Sequence, residues 1–229
     1  MPVTDIKVVG SARGVNSPDR AEVRLQVNRW GRDWAATHQA VTGEVTELME
    51  TVKRLEAQQP MAVRGRSIAQ ISQRSWTDDI GTAYSEAVEV AVVFSDFQVM
   101  SQWIFSPEVE AMRVLGITWQ LSPNAQKEID IALSVDAMRD AHRKAETFAT
   151  AAGLMIAGIQ NISHAPGPDG TNTPVPHVLP ATDPVPMPRG ATEGVDITPV
   201  PIATRIEVEV HFTANPDRNA GSLFAPDQD

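Results

Sequence analysis

The sequence predicts an α+β fold in which a mostly antiparallel β-sheet packs against two long α-helices. Several segments alternate apolar and polar residues, which is typical of strands with one buried face. Two long segments instead repeat their apolar residues every three or four positions, as amphipathic helices do. Most of the predicted strands follow one another directly along the chain. This order favours antiparallel pairing over a doubly wound parallel sheet.

The first half of the chain is predicted to contain two strands, a long helix and a strand pair. The strands are expected at residues 6–12, 20–27, 67–76 and 83–94, and the second of them alternates apolar and polar residues cleanly. The helix is expected at residues 33–58, because its apolar residues recur at spacings of three, four or seven. The residues of this apolar stripe are Trp34, Val41, Val45, Leu48, Val52 and Leu55.

The second half is predicted to begin with a short helix at residues 97–105, preceded by an aspartate as its cap. A strand at residues 112–121 follows. A serine and a proline then start a long alanine-rich helix at residues 123–152, because serine is a favoured cap and proline suits the first helical position. Two strands, at residues 155–164 and 204–213, complete the predicted fold.

The alanine-rich helix has the most distinctive pattern in the chain. Small apolar residues form one face and charged residues form the other, and Gly153 stands where a helix usually ends. Alanine lets another backbone approach closely, so this helix is expected to pack tightly on a sheet. The predicted buried residues are Ala137 or Met138, Ala141, Ala145, Phe148 and Ala152.

A single domain is predicted over residues 1–213, with a proline-rich insertion at 166–201 and a polar tail at 214–229. The insertion holds ten of the 17 prolines, and proline fits neither a helix interior nor a sheet interior. We expect an exposed loop with polyproline-like stretches, acting as a spacer or as a cover for a neighbouring subunit. A recognition element is the alternative, and its candidate partner-binding residues are Pro184, Pro186 and Pro188.

The composition argues against several classes of function. A net charge of −10 disfavours nucleic acids and anionic membrane surfaces. The absence of cysteine excludes disulfides and thiolate chemistry. No apolar run approaches the roughly 18 residues that span a bilayer, so no membrane insertion is expected. Without a signal-like amino terminus, the sequence as it stands predicts a cytoplasmic protein; a periplasmic or secreted one follows if a leader was removed.

The chain carries no recognisable catalytic motif. Its histidines, at positions 38, 142, 164, 177 and 211, lack the spacing of a zinc site. Asp78 and Asp79 could bind a cation, but adjacent acids in a turn usually face water. There is no nucleophile elbow, Walker loop or dinucleotide fingerprint. We therefore predict no catalytic, cofactor-binding or metal-binding residue, no cofactor and no enzymatic activity.

The five tryptophans offer a second set of candidate partner-binding residues. Trp119 is expected to pack in the core, on the buried face of its strand. Trp30 and Trp34 lie four residues apart at a strand-to-helix junction, where they could anchor a protein partner. Core packing is the interpretation that we favour for these two as well.

The order of the motifs resembles the SIMPL-domain family, a domain of unknown function. Ile6, Val8 and Gly10 occupy every second position, so that an alternating apolar pattern ends at a glycine. Pro18-Asp19 then precedes an alternating strand. A long helix, an alanine-rich helix ending at glycine and a closing strand follow. Residues that fit the alanine rhythm are Ala137, Asp140, Ala141, Lys144, Ala145, Glu146, Ala149 and Gly153. The chain departs from the family pattern at Ala12, in its long insertion and in lacking the export signal of bacterial members.

The resemblance implies an α+β protein that forms homo-oligomers and has no known catalytic residues. Bacterial members are linked to the cell envelope and stress tolerance. The founding animal member is linked to signalling kinases, and a kinase-partner role is the more distant hypothesis for this chain. The leading hypothesis is therefore a non-enzymatic, self-associating scaffold or interaction protein. Binding of a different protein partner is a further part of this hypothesis. The alternative is a small-molecule binder or enzyme, with a pocket between helices and sheet lined by Glu86, Glu89 or His211.

Overall fold

A computed structural model describes residues 4–106, 109, 112–164 and 197–216. Within these ranges the chain forms seven strands and three helices, which divide into two compact units. Each unit is an antiparallel sheet with one long helix packed on it. The α+β class and the antiparallel pairing are therefore confirmed. The elements are β1 (Thr4–Asn16), β2 (Arg20–Gly31), α1 (Trp34–Gln58), β3 (Val63–Asp78), β4 (Gly81–Phe94), α2 (Phe97–Ile104), β5 (Arg113–Gln120), α3 (Pro123–Ala151), β6 (Leu154–His164) and β7 (Ile202–Pro216).

The first unit contains a three-stranded sheet with the order β1-β7-β6, and α3 packs on it. Gly10 of β1 is what allows the close approach of this helix. A Cβ atom at Gly10 would lie 2.0 Å from the carbonyl oxygen of Ala137, so only glycine fits there. The buried face of α3 consists of Leu133, Ala137, Ala141, Ala145 and Ala149.

The predicted face of α3 was correct at its centre and wrong at its end. Phe148 is 59% exposed, and Ala152 is exposed as well, whereas Ala149 is buried. The buried residues recur every four positions, while a turn takes 3.6 residues, so the buried face rotates along the helix. Near its carboxyl end the buried face has moved away from Phe148. The helix ends as predicted, with Gly153 at a φ of +69°.

The second unit contains a four-stranded sheet with the order β3-β4-β2-β5. Asp33 caps α1 by accepting a hydrogen bond from the Ala36 N–H, and Asp96 caps α2 as predicted. Both helices contribute to one apolar core on the same sheet face. Its fully buried large side chains include Leu25, Leu48, Val52, Phe94, Met100 and Ile104.

The sequence did not predict that the strands form two sheets. β1 pairs with β7 and not with its neighbour β2, and residues 14–16 continue β1 along β7 instead of turning. β7 likewise runs to Pro216, so the predicted tail begins later than residue 214. Residues 165–196, which include most of the predicted insertion, and residues 217–229 lie outside the described residues. The single domain over residues 1–213 stays a prediction. None of the helices described is long and apolar enough to cross a membrane.

Candidate functional site

A buried carboxylate interrupts the apolar side of β4. Glu86 is 2% exposed and belongs to the row of β4 side chains that faces α1. The other members of this row are Tyr84, Val88, Val90, Val92 and Phe94. Burying a carboxylate costs several kcal/mol unless other groups compensate it. Its position in this row marks Glu86 as a candidate functional residue.

Two partners of Glu86 come from α1 and β3. Its Oε2 lies 2.9 Å from Nδ1 of His38, and its Oε1 accepts a hydrogen bond of 3.4 Å from Nε2 of Gln73. An ionised carboxylate only accepts, so a hydrogen bond to such a group would take its proton from Nδ1 of His38. Arg29 is the cross-strand neighbour of Glu86, and its Nε donates to Glu44 at 2.6 Å. No hydrogen bond from a described residue reaches Nε2 of His38.

The indole ring of Trp34 also contacts His38. Its ring stacks on Trp34, with centroids 5.4 Å apart and planes 24° apart. Trp34 in turn contacts Tyr84 at a centroid distance of 6.1 Å. The His38 side chain is nevertheless 53% exposed. The carboxylate and the stacked indole together orient a histidine that solvent and small molecules can reach.

His38 lines a shallow groove of about 460 Å³ on the surface of α1. Among the described residues, the lining consists of His38, Gln39, Thr42, Gly43 and Thr46. None of these residues is an acid, a lysine or an arginine. Gly43 adds no side chain to the groove, and a Cβ atom there would meet nothing within 4 Å. The surface of the groove is mostly apolar, and the oriented imidazole of His38 forms part of it.

The second notable feature is an edge of the first unit's sheet, where side chains of α3 bind the backbone of β1. The Ser11 N–H donates to Oδ2 of Asp140 at 3.0 Å, and Nζ of Lys144 donates to the Val9 carbonyl at 2.8 Å. Lys144 also pairs with Asp140 at 2.7 Å. The hydrogen bond from Lys144, followed by that from Ser11, lowers the pKa of Asp140. We call this side of β1 the capped edge.

The opposite edge of the same sheet is β6, and it differs in two ways. No comparable side-chain hydrogen bond reaches its outer side from any residue that the structure describes. Three large apolar side chains along it are about half exposed: Met155 at 51%, Ile159 at 49% and Ile162 at 53%. We call this side of β6 the open edge.

A family model decides the classification of the chain. The model described as SIMPL, a protein of unknown function (DUF541), matches residues 6–214 of the 229. The chain belongs to the SIMPL family. The predicted resemblance is therefore confirmed, and the SIMPL match includes residues of both units. A comparison with curated proteins gives no match.

The predicted partner-binding residues of this SIMPL chain are not brought together. Trp30 is 67% exposed and pairs in register with Ser85, which places it on the sheet face opposite Glu86. Trp34, 39% exposed, lies against Tyr84 on the helix side. The two rings therefore cannot form one anchor. Pro184, Pro186 and Pro188 lie outside the described residues.

The residues expected to line a pocket also separate. Glu89 lies on the face of β4 opposite Glu86, with one oxygen 4.0 Å from Nη1 of Arg24. His211 belongs to the first unit, where its Nε2 lies 3.2 Å from Glu209. Only Glu86 belongs to the candidate site.

The turn that could have bound a cation is engaged by arginine instead. Asp78 pairs with Arg32 through two hydrogen bonds of 2.8 and 2.7 Å, which lower the pKa of Asp78. Trp119 packs as expected, half-buried and edge-on to Phe97 at 5.0 Å. No group of three His, Asp or Glu side chains that could hold a metal ion occurs in the described ranges.

His38 is the site residue that sequence analysis missed. The sequence analysis considered it only as one of five histidines that lack the spacing of a zinc site. The sequence did contain one signal, because Glu86 falls in the row of β4 that otherwise carries Tyr84, three valines and Phe94. A charged residue in a buried row requires a partner. The pairing of β2 with β4 and the position of α1 then identify His38 as that partner.

Proposed function

We propose that this SIMPL-family chain is a self-associating interaction protein, and that the open edge of β6 binds a second copy. The observation that carries the proposal is the contrast between the two edges of one sheet. Unpaired strand edges bind other strands unless something prevents it. On the capped edge, Asp140 and Lys144 occupy the outer backbone groups of Val9 and Ser11. Pairing β6 with β6 of a second copy would give a closed, twofold symmetric dimer.

The charges on the other edge strands support the choice of β6. β3 carries Arg64, Arg66 and Arg74, and charged side chains on an edge strand oppose pairing. β5 has only eight residues. β6 contains no lysine, arginine, aspartate or glutamate over its 11 residues. Two register shifts interrupt its pairing with β7, but β6 is the one of these three edge strands without a charged side chain.

The apolar side chains beside the open edge would strengthen such a pair. Ile159 and Ile162 pair in register with Phe212 and Val210, so they lie on the helix side of the sheet, yet α3 leaves them half exposed. Burying the exposed half of each side chain would contribute roughly 1 kcal/mol. Main-chain hydrogen bonds would set the register, and these side chains would add affinity.

Light scattering over a range of protein concentrations tests this function. We expect a mass that rises above the monomer value with concentration in the wild-type chain. The double variant Ile159→Lys/Ile162→Lys should shift that rise to at least tenfold higher concentration, because it places charges beside the strand. Ile131→Lys is the matched control, since Ile131 is 58% exposed but lies on α3. A monomer at every concentration would remove the basis of the proposal.

The physiological setting that the resemblance suggests is the cell envelope or stress tolerance. Self-association and partner binding require no reactive group, which agrees with a non-enzymatic role. Cross-linking in cells, followed by sizing of the tagged chain, would measure assembly in that setting. A band at twice the chain mass is the expected result, and a single monomer band would oppose it.

The groove beside His38 favours a second candidate function, the binding of a small molecule. The specific observation is the pair formed by Glu86 and His38, which orients an imidazole at the surface of a groove. Thermal-shift screening against metabolites should find compounds that stabilise the wild-type chain but not a His38→Gln variant. A flat profile across the screen would remove support for this function.

A further inference from the structure

We propose that the face of the second unit's sheet opposite α1 binds a proline-rich peptide at Trp30 and Trp76, and that its occupant is residues 184–188 of the same molecule. This contact is separate from self-association through the open edge and does not depend on it. It follows from the position of the two indoles, from their exposure and from the sequence of the segment.

Trp30 and Trp76 lie on the same face of the sheet, on either side of β4. Trp30 of β2 pairs in register with Ser85, and Trp76 of β3 pairs with Ala83. Ser85 and Ala83 are two positions apart on β4, so all four side chains point away from α1. With strands about 4.8 Å apart and residues about 3.4 Å apart, the Cα atoms of the two tryptophans lie about 12 Å from each other.

The two indoles are accessible on this face. Trp30 is 67% exposed and Trp76 is 45% exposed, and the β4 side chains nearest to them are small, namely Ala83, Ser85 and Ala87. Among the described residues, neither indole contacts another aromatic ring or donates a hydrogen bond. Both tryptophans therefore present an apolar ring and an N–H donor to a ligand.

A proline-rich peptide supplies the groups that such a pair of indoles binds. Its proline rings are rigid and apolar, and its backbone carbonyls are unpaired, because the polyproline II conformation has no internal hydrogen bonds. An indole can pack on a proline ring while its N–H donates to a carbonyl. Aromatic-lined surfaces recognise proline-rich segments in this way, at little cost in conformational entropy.

Residues 184–188, with the sequence Pro-Val-Pro-Met-Pro, match this surface in length and in charge. Each proline restricts its own φ and the conformation of the preceding residue, so the sequence predicts an extended stretch. In polyproline geometry four residues advance about 12 Å, which equals the separation of the two tryptophans. Asp183 directly precedes the stretch, and Arg74, the cross-strand neighbour of Ser85, lies on the same face as the indoles.

The described chain nearest to this stretch is attached to the second unit. Ile197, the ninth residue after Pro188, packs against the apolar core of that unit. This core extends along β4 from Val90 to Phe94, about 17–30 Å from Ser85. Nine extended residues reach about 30 Å, so the near part of this range leaves enough chain to pass a sheet edge. Such a tether gives an effective concentration on the order of millimolar, which favours the segment of the same molecule.

A nitroxide attached to a Gly190→Cys variant of the full-length chain tests the docking. The wild-type chain has no cysteine, so the label has a single site. In ¹H–¹⁵N spectra it should broaden the indole N–H signals of Trp30 and Trp76. Those of Trp103 and Trp119 should stay sharp, because both residues lie near the other end of the sheet, about 30 Å away. Sharp signals of Trp30 and Trp76 would overturn the proposal.

Isotope mixing identifies the molecule that supplies the segment. Spin-labelled ¹⁵N chain diluted into excess unlabelled wild type should keep the broadening, because the contact lies within one molecule. Spin-labelled ¹⁴N chain mixed with ¹⁵N wild type should cause none. Broadening in that second mixture alone would assign the segment to a neighbouring copy and overturn the proposed occupant.

Two matched double variants, each carrying the label, test the prolines. Pro184→Ser/Pro186→Ser should restore most of the lost signal intensity, because serine removes the rings and adds conformational freedom that docking must then restrict. Pro174→Ser/Pro176→Ser is the control, since these residues form another Pro-Val-Pro sequence of the same segment, and it should leave the broadening unchanged. Equal effects of the two doubles would refute specific docking of residues 184–188.

Replacing the tryptophans tests the surface itself. Trp30→Ala and Trp76→Ala should each increase the mobility of the nitroxide in EPR spectra, because each removes one of the two rings that hold the segment. Ile80→Ala is the control, since Ile80 is 84% exposed at the turn between β3 and β4, and it should leave the mobility unchanged. Unchanged mobility in both tryptophan variants would overturn the assigned surface.

Discussion

The two units use the same plan, a long helix on an antiparallel sheet, but pack it with side chains of different size. In the first unit, alanines of α3 lie against β1, and a Cβ atom at Gly10 would meet the Ala137 carbonyl at 2.0 Å. In the second unit, Leu48 and Val52 of α1 lie against a sheet with large buried side chains such as Phe94. Small residues bring a helix close to a sheet, whereas large ones hold it away.

This difference in packing has a consequence for each candidate site. In the first unit the close approach lets Asp140 and Lys144 reach across β1 to its outer backbone groups. In the second unit the larger separation leaves room between α1 and β4 for the polar contact of His38 with Glu86. One packing mode thus protects a strand edge, and the other accommodates a buried charge beside a groove.

The largest expected effect comes from breaking the close contact of the first unit. Gly10→Ala should lower the free energy of unfolding by more than about 3 kcal/mol, because the added methyl meets helix backbone that cannot rotate away. Gly65→Ala in β3 is the matched control, since a Cβ atom there would meet nothing within 4 Å. Urea denaturation measures both. Equal stability of the two variants would refute the close packing.

A cavity in the second unit should have the next largest effect. Leu48 is 0% exposed, and Leu48→Ala should cost about 2–4 kcal/mol through lost burial and an unfilled cavity. Ala141→Gly in the first unit removes only a methyl group and should cost about 1 kcal/mol. Urea denaturation of both variants gives the ratio of these two losses, which compares the packing of the two units. A larger loss for Ala141→Gly would reverse the assignment of packing modes.

The contact between His38 and Glu86 in the second unit should have the third largest effect on the free energy of unfolding. His38→Leu removes a partner of a buried carboxylate and should cost about 1–3 kcal/mol. Adding Glu86→Leu should restore most of that stability, because no charge then stays buried. A double-mutant cycle measures this coupling. Strictly additive effects would show that the two side chains act independently.

The smallest effect is expected at the capped edge. Asp140→Ala should cost about 1–2 kcal/mol, and Asp140→Asn about half as much, because asparagine can still accept from the Ser11 N–H. The pKa of Asp140 is lowered by Lys144 first and Ser11 second. The stabilisation is thus fully present above the ordinary carboxyl pKa of about 4 and is lost as the pH falls through the lower folded value.

The difference in stability between the wild type and Asp140→Asn should therefore be constant near neutral pH and shrink in strong acid. Urea denaturation of both proteins from pH 7 to pH 2.5 checks this dependence. Arg139→Gln serves as the control, since Arg139 pairs with Asp136 on the exposed side of α3. A difference that grows in acid would contradict the ionised state of Asp140.

The sequence was sufficient to predict every strand and helix that the structure describes, in order. Their periodicity is local, and the caps at Asp33, Asp96 and Gly153 are local as well. The division into two sheets was not predictable in the same way. Alternating residues show that β1 has a buried face, but they do not identify β7, whose paired residues lie 186 to 210 positions further along the chain, as its partner.

The candidate site was predictable only in part. Glu86 could be recognised as a charge in an apolar row, but its bond to His38 depends on how α1 lies over β4. Trp30 and Trp34 are close in sequence and lie on opposite faces of the sheet, because the strand side chains alternate while the helix turns back over one face. Their closeness in the sequence therefore did not predict that they lie on different faces of the sheet.

Amide hydrogen exchange at low and high protein concentration tests the contrast between the two edges most directly. The Ser11 amide should be protected at both concentrations, because Asp140 binds it within one molecule. The β6 amides that point outward should exchange quickly in dilute protein and become protected as the concentration rises. Protection that appears on β1 instead of β6, or on neither edge, would contradict self-association through the open edge.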